Sequence, residues 1–139
     1  MERTLVQNVA RLVGIVFLLV GIAGFIPGVT TNLYDGLEFA GNDGTAELLG
    51  LFQVSVLHNI VHGLFGLAGL ALAATPSGAR TYLIGGGAIY LVLALLGLVG
   101  GGDWIPVNDA DNWLHLLLGA GMIGLGVLTT RETRVASTA

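Results

Sequence analysis

The sequence predicts an all-α integral membrane protein, a four-helix transmembrane bundle built from two tandem helical hairpins. Three observations carry that prediction. The chain of 139 residues is 54% hydrophobic and 10% charged, with a mean hydropathy of +0.85, whereas charged residues make up roughly a quarter of an ordinary soluble domain. Its apolar residues collect in four runs, each close to the length that crosses a bilayer. A polar pattern in the second run returns in the fourth. The length allows a single membrane domain over residues 1–139, with little chain left for anything else.

The spans are expected at 9–26, 54–74, 81–100 and 111–130. At 1.5 Å per residue each covers about 27 to 32 Å, the thickness of the hydrocarbon layer. The first follows Arg3 and Arg11 and ends before Pro27. A secretory signal peptide is the competing view of residues 1–28, but no small-x-small cleavage site follows the run, so the first helix is expected to be retained. The outer loop 27–53 is the largest polar region, with turn signals at Asp35-Gly36 and Gly41-Asn42-Asp43-Gly44. Thr45 followed by Glu47 then reads as a helix start with an acid at the positive dipole end, which places the beginning of the second helix near residue 45. The connection 75–80 contains Pro76, Ser77 and Gly78 and is expected to be a tight turn. The last connection, 101–110, precedes the fourth span.

Orientation follows from the arginines, because basic residues beside short loops stay in the cytoplasm. Arg3, Arg11, Arg80, Arg131 and Arg134 all fall on one side, so both termini are expected to be cytoplasmic. The other side carries Asp35, Glu38, Asp43, Glu47, Asp103, Asp109 and Asp111 without a single base. Trp104 and Trp113 stand there at the level of an interfacial aromatic belt. The expected home is a bacterial cytoplasmic membrane, crossed several times.

An internal duplication is visible. Leu19-Val20-Gly21 with Phe25-Ile26-Pro27 returns as Leu98-Val99-Gly100 with Trp104-Ile105-Pro106, an offset of 79 (19 to 98). Asn59, His62, Leu64 and Gly66 return as Asn112, His115, Leu117 and Gly119, an offset of 53 (59 to 112). The difference assigns about 26 extra residues to the first hairpin, where the long polar loop lies. Equal topology of the halves implies a pseudo-twofold axis along the membrane normal.

The same alignment sets His58-Asn59-x-x-His62 opposite Asp111-Asn112-x-x-His115, and these include all three histidines. Residues four apart share a helical face, so His58 pairs with His62 and Asp111 with His115. Ionisable groups inside a span are costly unless partnered and by default mark a functional site. Three chemistries fit. His58, His62, His115 and Asp111 suit a divalent metal such as zinc, copper(II) or iron. His62 and His115, one from each half, suit the axial pair of a b-type haem. Imidazoles also suit a proton relay, since they titrate near neutral pH. Asn59 and Asn112 are expected to support and orient the ligands. The plain alternative is that the cluster only hydrogen-bonds across helices, a use of polar side chains worth about 1 kcal/mol in membranes.

The 23 glycines crowd into the spans, where small residues let helix backbones approach closely. They follow no strand, which excludes a phosphate-binding loop, and neither a P-loop nor an HExxH zinc motif occurs. With zero cysteines the chain has no disulfide or thiolate chemistry. A net charge of -4 without a basic cluster excludes a nucleic-acid partner.

The segment Leu51-Phe52-Gln53-Val54-Ser55-Val56-Leu57-His58-Asn59-Ile60-Val61-His62, taken with Asp111-Asn112-Trp113-Leu114-His115-Leu116, resembles the bacterial membrane family known as domain of unknown function 4383. The likeness extends from the first span to the fourth. It implies four helices and a bacterial, often actinobacterial, inner membrane, and supplies no activity. The favoured function is a small non-enzymatic membrane protein binding a metal or haem at the histidine cluster. Two alternatives stand beside it: an assembly subunit that contacts a protein partner or a second copy, and a small transporter or proton-coupled factor.

Overall fold

The computed structural model describes residues 3–100 and 105–138, with side chains described as far as residue 130. Asp103, Trp104 and the side chains of Arg131 and Arg134, used above for orientation, lie outside the described residues. The chain is mostly helical. Four long helices, α1 (Leu5–Ala23), α3 (Val56–Leu72), α4 (Pro76–Leu98) and α5 (Asp109–Thr138), carry the fold. Between α1 and α3 come β1 (Thr30–Thr31), a single turn α2 (Leu33–Gly36), β2 (Glu47–Leu48) and β3 (Phe52–Gln53). α1, α4 and α5 up to Thr130 are long and apolar enough to cross a membrane, and α3, at 17 residues, is a shorter apolar helix.

Helix ends are set by polar side chains that periodicity alone does not weigh. α1 starts at Leu5, ahead of the expected residue 9, because the Thr4 backbone N–H donates to Gln7 Oε1 at 3.1 Å. The same Gln7 donates through Nε2 to the Ala73 and Ala74 carbonyls at 3.1 and 3.0 Å, so one buried amide serves the start of α1 and the open end of α3. Pro76, Ser77 and Gly78 are the first turn of α4 rather than a loop. Pro76 needs no donor at that position, and Thr75 Oγ1 accepts from the Gly78 N–H at 3.0 Å.

The helices pack as two antiparallel pairs. In α1–α3, a side chain at Gly14 would strike the Gly66 carbonyl and one at Gly21 would strike the Gly63 and Asn59 backbones. In α4–α5, Gly87 faces the Gly119 carbonyl in the same way. Van der Waals contact between backbones replaces the hydrophobic effect as the cohesive force in lipid, and these glycines supply it. The pairs meet along a core of Phe17, Tyr82, Leu83, Tyr90 and Met122. Outward-facing Leu19, Leu64, Leu95, Leu117 and Leu128 are exposed, as lipid-facing side chains are.

The expected helix start near Thr45 is corrected. Residues 46–54 form instead a hairpin, and β1, β2 and β3 make a small antiparallel sheet with Thr30 opposite Leu48 and Glu47 opposite Gln53. The hairpin turns at Leu49 and Gly50, both at positive φ (56° and 67°), the primed geometry that matches strand twist. Ala46, Leu48 and Val54 bury themselves against Val20, Ala23 and Val29, so burial beside α1 decides the segment over its helical start signal. α3 begins only at Val56, where Ser55 Oγ accepts from the His58 N–H at 3.1 Å.

Candidate metal centre

The caps of α3 and α5 determine where the imidazoles fall. Ser55 starts α3, which puts His58 in its first turn and His62 one turn later on the same face. Asn108 starts α5 through a reciprocal cap: Asn108 Oδ1 accepts from the Asp111 N–H at 2.9 Å and Asp111 Oδ2 accepts from the Asn108 N–H at 3.1 Å. That places His115 one turn beyond Asp111. Both helices start at the same end of the fold, so the three rings meet. One ring nitrogen from each of His58, His62 and His115 lies within 4.8 Å of the others.

His58 Nε2 and His62 Nε2 are 2.8 Å apart, which requires one to donate and the other to accept, hence opposite tautomers. The His58 and His115 ring centroids are 6.4 Å apart. Phe17 meets His62 edge-on at 5.4 Å, and Tyr90 lies 5.3 Å from His115. His62 and His115 are 7% and 3% exposed, and the Nδ1 atoms of both are buried without a hydrogen-bond partner among the described residues. The Nδ1 atom of His58 is buried and unpaired in the same way, an uncommon state for buried polar atoms.

The contacts around the cluster recur. Gly14 on Gly66 corresponds to Gly87 on Gly119, the Asn59 amide over Gly24 to the Asn112 amide over Gly97, and Phe17 beside His62 to Tyr90 beside His115. The α3 member of each pair shifts by 53 (66 to 119), as the sequence pattern has it. The member on or capping α1 shifts by 73 (14 to 87), in place of the offset of 79. Leu-Val-Gly at 98–100 closes the end of α4, with Gly100 at positive φ, whereas Gly21 sits inside α1 against α3.

Residues 7–128 match the family model described as Domain of unknown function (DUF4383). The chain belongs to the DUF4383 family. No curated protein and no solved structure matches it.

In this DUF4383 protein three expected site residues serve elsewhere. Asp111 is 1% exposed, but its carboxylate accepts from the Gln53 and Asn108 backbone N–H groups and ties the sheet to α5, so it does not complete a four-ligand set. Asn59 donates to the Gly24 carbonyl at 2.9 Å and ties α3 to the end of α1, and Asn112 packs against Gly97 of α4; among the described residues neither side chain is hydrogen-bonded to an imidazole. Of the expected haem pair, His62 Nε2 is engaged by His58, and the adjoining cavity of about 160 Å³ is below the roughly 300–1,000 Å³ of sites for larger ligands. Sequence reasoning missed Tyr90, whose signal was a phenol inside a span at the place Phe17 holds in the first hairpin.

Proposed function

We propose that this DUF4383 protein is a non-enzymatic, multi-pass protein of a bacterial inner membrane that holds one divalent transition-metal ion on His58, His62 and His115. In this reading the four long helices form a transmembrane bundle of two duplicated hairpins, with both termini cytoplasmic and the metal near the outer face. The arginine asymmetry supports the orientation. The recurrent glycine, asparagine and aromatic contacts support the duplication.

One observation carries the metal: one imidazole nitrogen from each of His58, His62 and His115 lies within 4.8 Å of the others. Two histidines four apart on a helix with a third from elsewhere is a known way to present nitrogen to zinc. At a metal–nitrogen distance of about 2.0–2.1 Å, tetrahedral ligand atoms stand about 3.3 Å apart. His58 and His62 then separate slightly from their 2.8 Å contact while His115 closes in. Three neutral nitrogens suit zinc, copper(II) or iron(II). The fourth position stays open, because Asp111, the counterpart of His58 in the second half, is held by the loop. The Ser55 hydroxyl beside the cluster is engaged as the cap of α3, consistent with binding rather than turnover.

Purification in mild detergent after expression in zinc-, copper- and iron-replete medium, followed by metal analysis, tests the proposal. One ion per chain is expected, lost in His62→Ala and His115→Ala and kept in Asp111→Asn. Metal-free wild type, or an ion kept when both histidines are removed, overturns it.

A further inference from the structure

A cavity of about 160 Å³ adjoins the cluster, and its lining is of two kinds. The three imidazoles, Tyr90 and Ser55 are polar, and Leu57, Val61, Leu93, Ile105 and Pro106 are apolar. Leu57 and Val61, on α3, are 41% and 50% exposed, on the surface that faces acyl chains once the helices span a bilayer. Leu93 belongs to α4, so the apolar lining joins α3 to α4, one helix from each tight pair. The geometry points to an opening toward the lipid phase.

Size and charge narrow what can enter. A dry cavity of roughly 150 Å³ accommodates benzene, so this one takes a single six-membered ring. Arg80, at the opposite end of α4, is ten residues from Tyr90, about 15 Å along the axis. None of the lining residues is a cation, so nothing in the wall would pair with a carboxylate or phosphate. Among the lining residues, His115 Nε2 is the imidazole nitrogen left outside the His58–His62 contact and the buried Nδ1 atoms, and it donates or accepts according to tautomer, which suits a neutral ring oxygen. Tyr90 adds an aromatic face.

We infer that the cavity is a binding site for the head of a neutral, lipid-dissolved benzoquinone, entering between α3 and α4 with its tail passing Leu57 and Val61 into the bilayer. A ring oxygen meets an imidazole N–H in the metal-free protein, or the open coordination position in the loaded one. The inference goes beyond the metal reading and does not depend on it.

The test is calorimetric titration of the wild-type chain in lipid nanodiscs, metal-free and zinc-loaded, with decyl-1,4-benzoquinone, and with decylcyclohexane as the oxygen-free control. Saturable binding of the quinone alone is expected. Val61→Trp, a change on the lipid-facing side that blocks the opening, is expected to weaken it by about tenfold or more while leaving metal stoichiometry unchanged, with Val61→Phe intermediate. Unchanged helical content and size-exclusion profile verify that both variants fold. Equal binding of decylcyclohexane, binding unaffected in both Val61 variants, or no saturable binding overturns the inference. Quinone binding by a wild-type chain that takes up no metal from metal-replete medium overturns only the metal reading.

Discussion

Replacing Gly66 by alanine probes the contact on which the position of His62 depends. A methyl group at residue 66 would lie 2.5 Å from the Leu18 nitrogen and 2.7 Å from the Gly14 carbonyl oxygen. Both are backbone atoms of α1 and cannot swing away. Ordinary contact begins at 3.4 Å, so α1 and α3 must part by close to 0.9 Å locally (3.4 less 2.5). Overpacking of this kind costs about 1–3 kcal/mol. Alanine also recovers roughly 0.5–1 kcal/mol of backbone entropy in a helix. Gly63→Ala isolates that gain, because a methyl at residue 63 meets nothing within 4 Å. The gap between the two variants is therefore about 1–3 kcal/mol, the clash alone. Titrating each protein from dodecyl maltoside into dodecyl sulfate, followed by circular dichroism, measures it. Gly66→Ala is also expected to bind metal more weakly, since His62 lies one turn away on the displaced helix and His115 does not. Equal unfolding midpoints for the two variants would refute the close packing of α1 on α3.

Four further outcomes are expected. Asp111→Ala removes the acceptor of the Gln53 and Asn108 N–H groups, costs about 2 kcal/mol and speeds hydrogen exchange at those two amides. Gln7→Ala strands the Ala73 and Ala74 carbonyls and lowers stability by about 1–3 kcal/mol in the same detergent titration. Leu49→Asn puts a residue tolerant of positive φ at the hairpin turn, which is expected to slow exchange across residues 47–53, with faster exchange counting against the assigned turn. Because the chain has zero cysteines, single introduced ones report topology: Leu49→Cys should react with an impermeant maleimide on intact cells and Ser77→Cys only after lysis.

What was legible depended on range. Apolar runs fell on α1, α4 and α5 without fixing their ends, and the i, i+4 spacing put His58 and His62 on one face. Both follow from geometry inside a single helix. The spacing of Asn59 with His62 and Asn112 with His115 also announced that the two starts would present imidazoles alike. The loop was misread because Thr45 and Glu47 carry a genuine helix-start signal, overridden by the burial of Ala46, Leu48 and Val54 on α1. The offset of 79 failed for a related reason. Leu, Val and Gly are too common in membrane helices to fix register, whereas glycine against glycine across a helix pair is visible only once both helices are in place.

Composition and periodicity by themselves determined that the chain is a helical membrane protein and that its histidines lie near the start of two helices. Partners across the fold decided the rest: which polar side chains face one another and which are spent as caps. Asp111 and His115 share a helical face, yet one is captured by the Gln53 backbone and the other turns into the cluster. The reason is that a helix confines its side chains to faces, while the hydrogen-bond donors that choose among them come from segments distant in the chain.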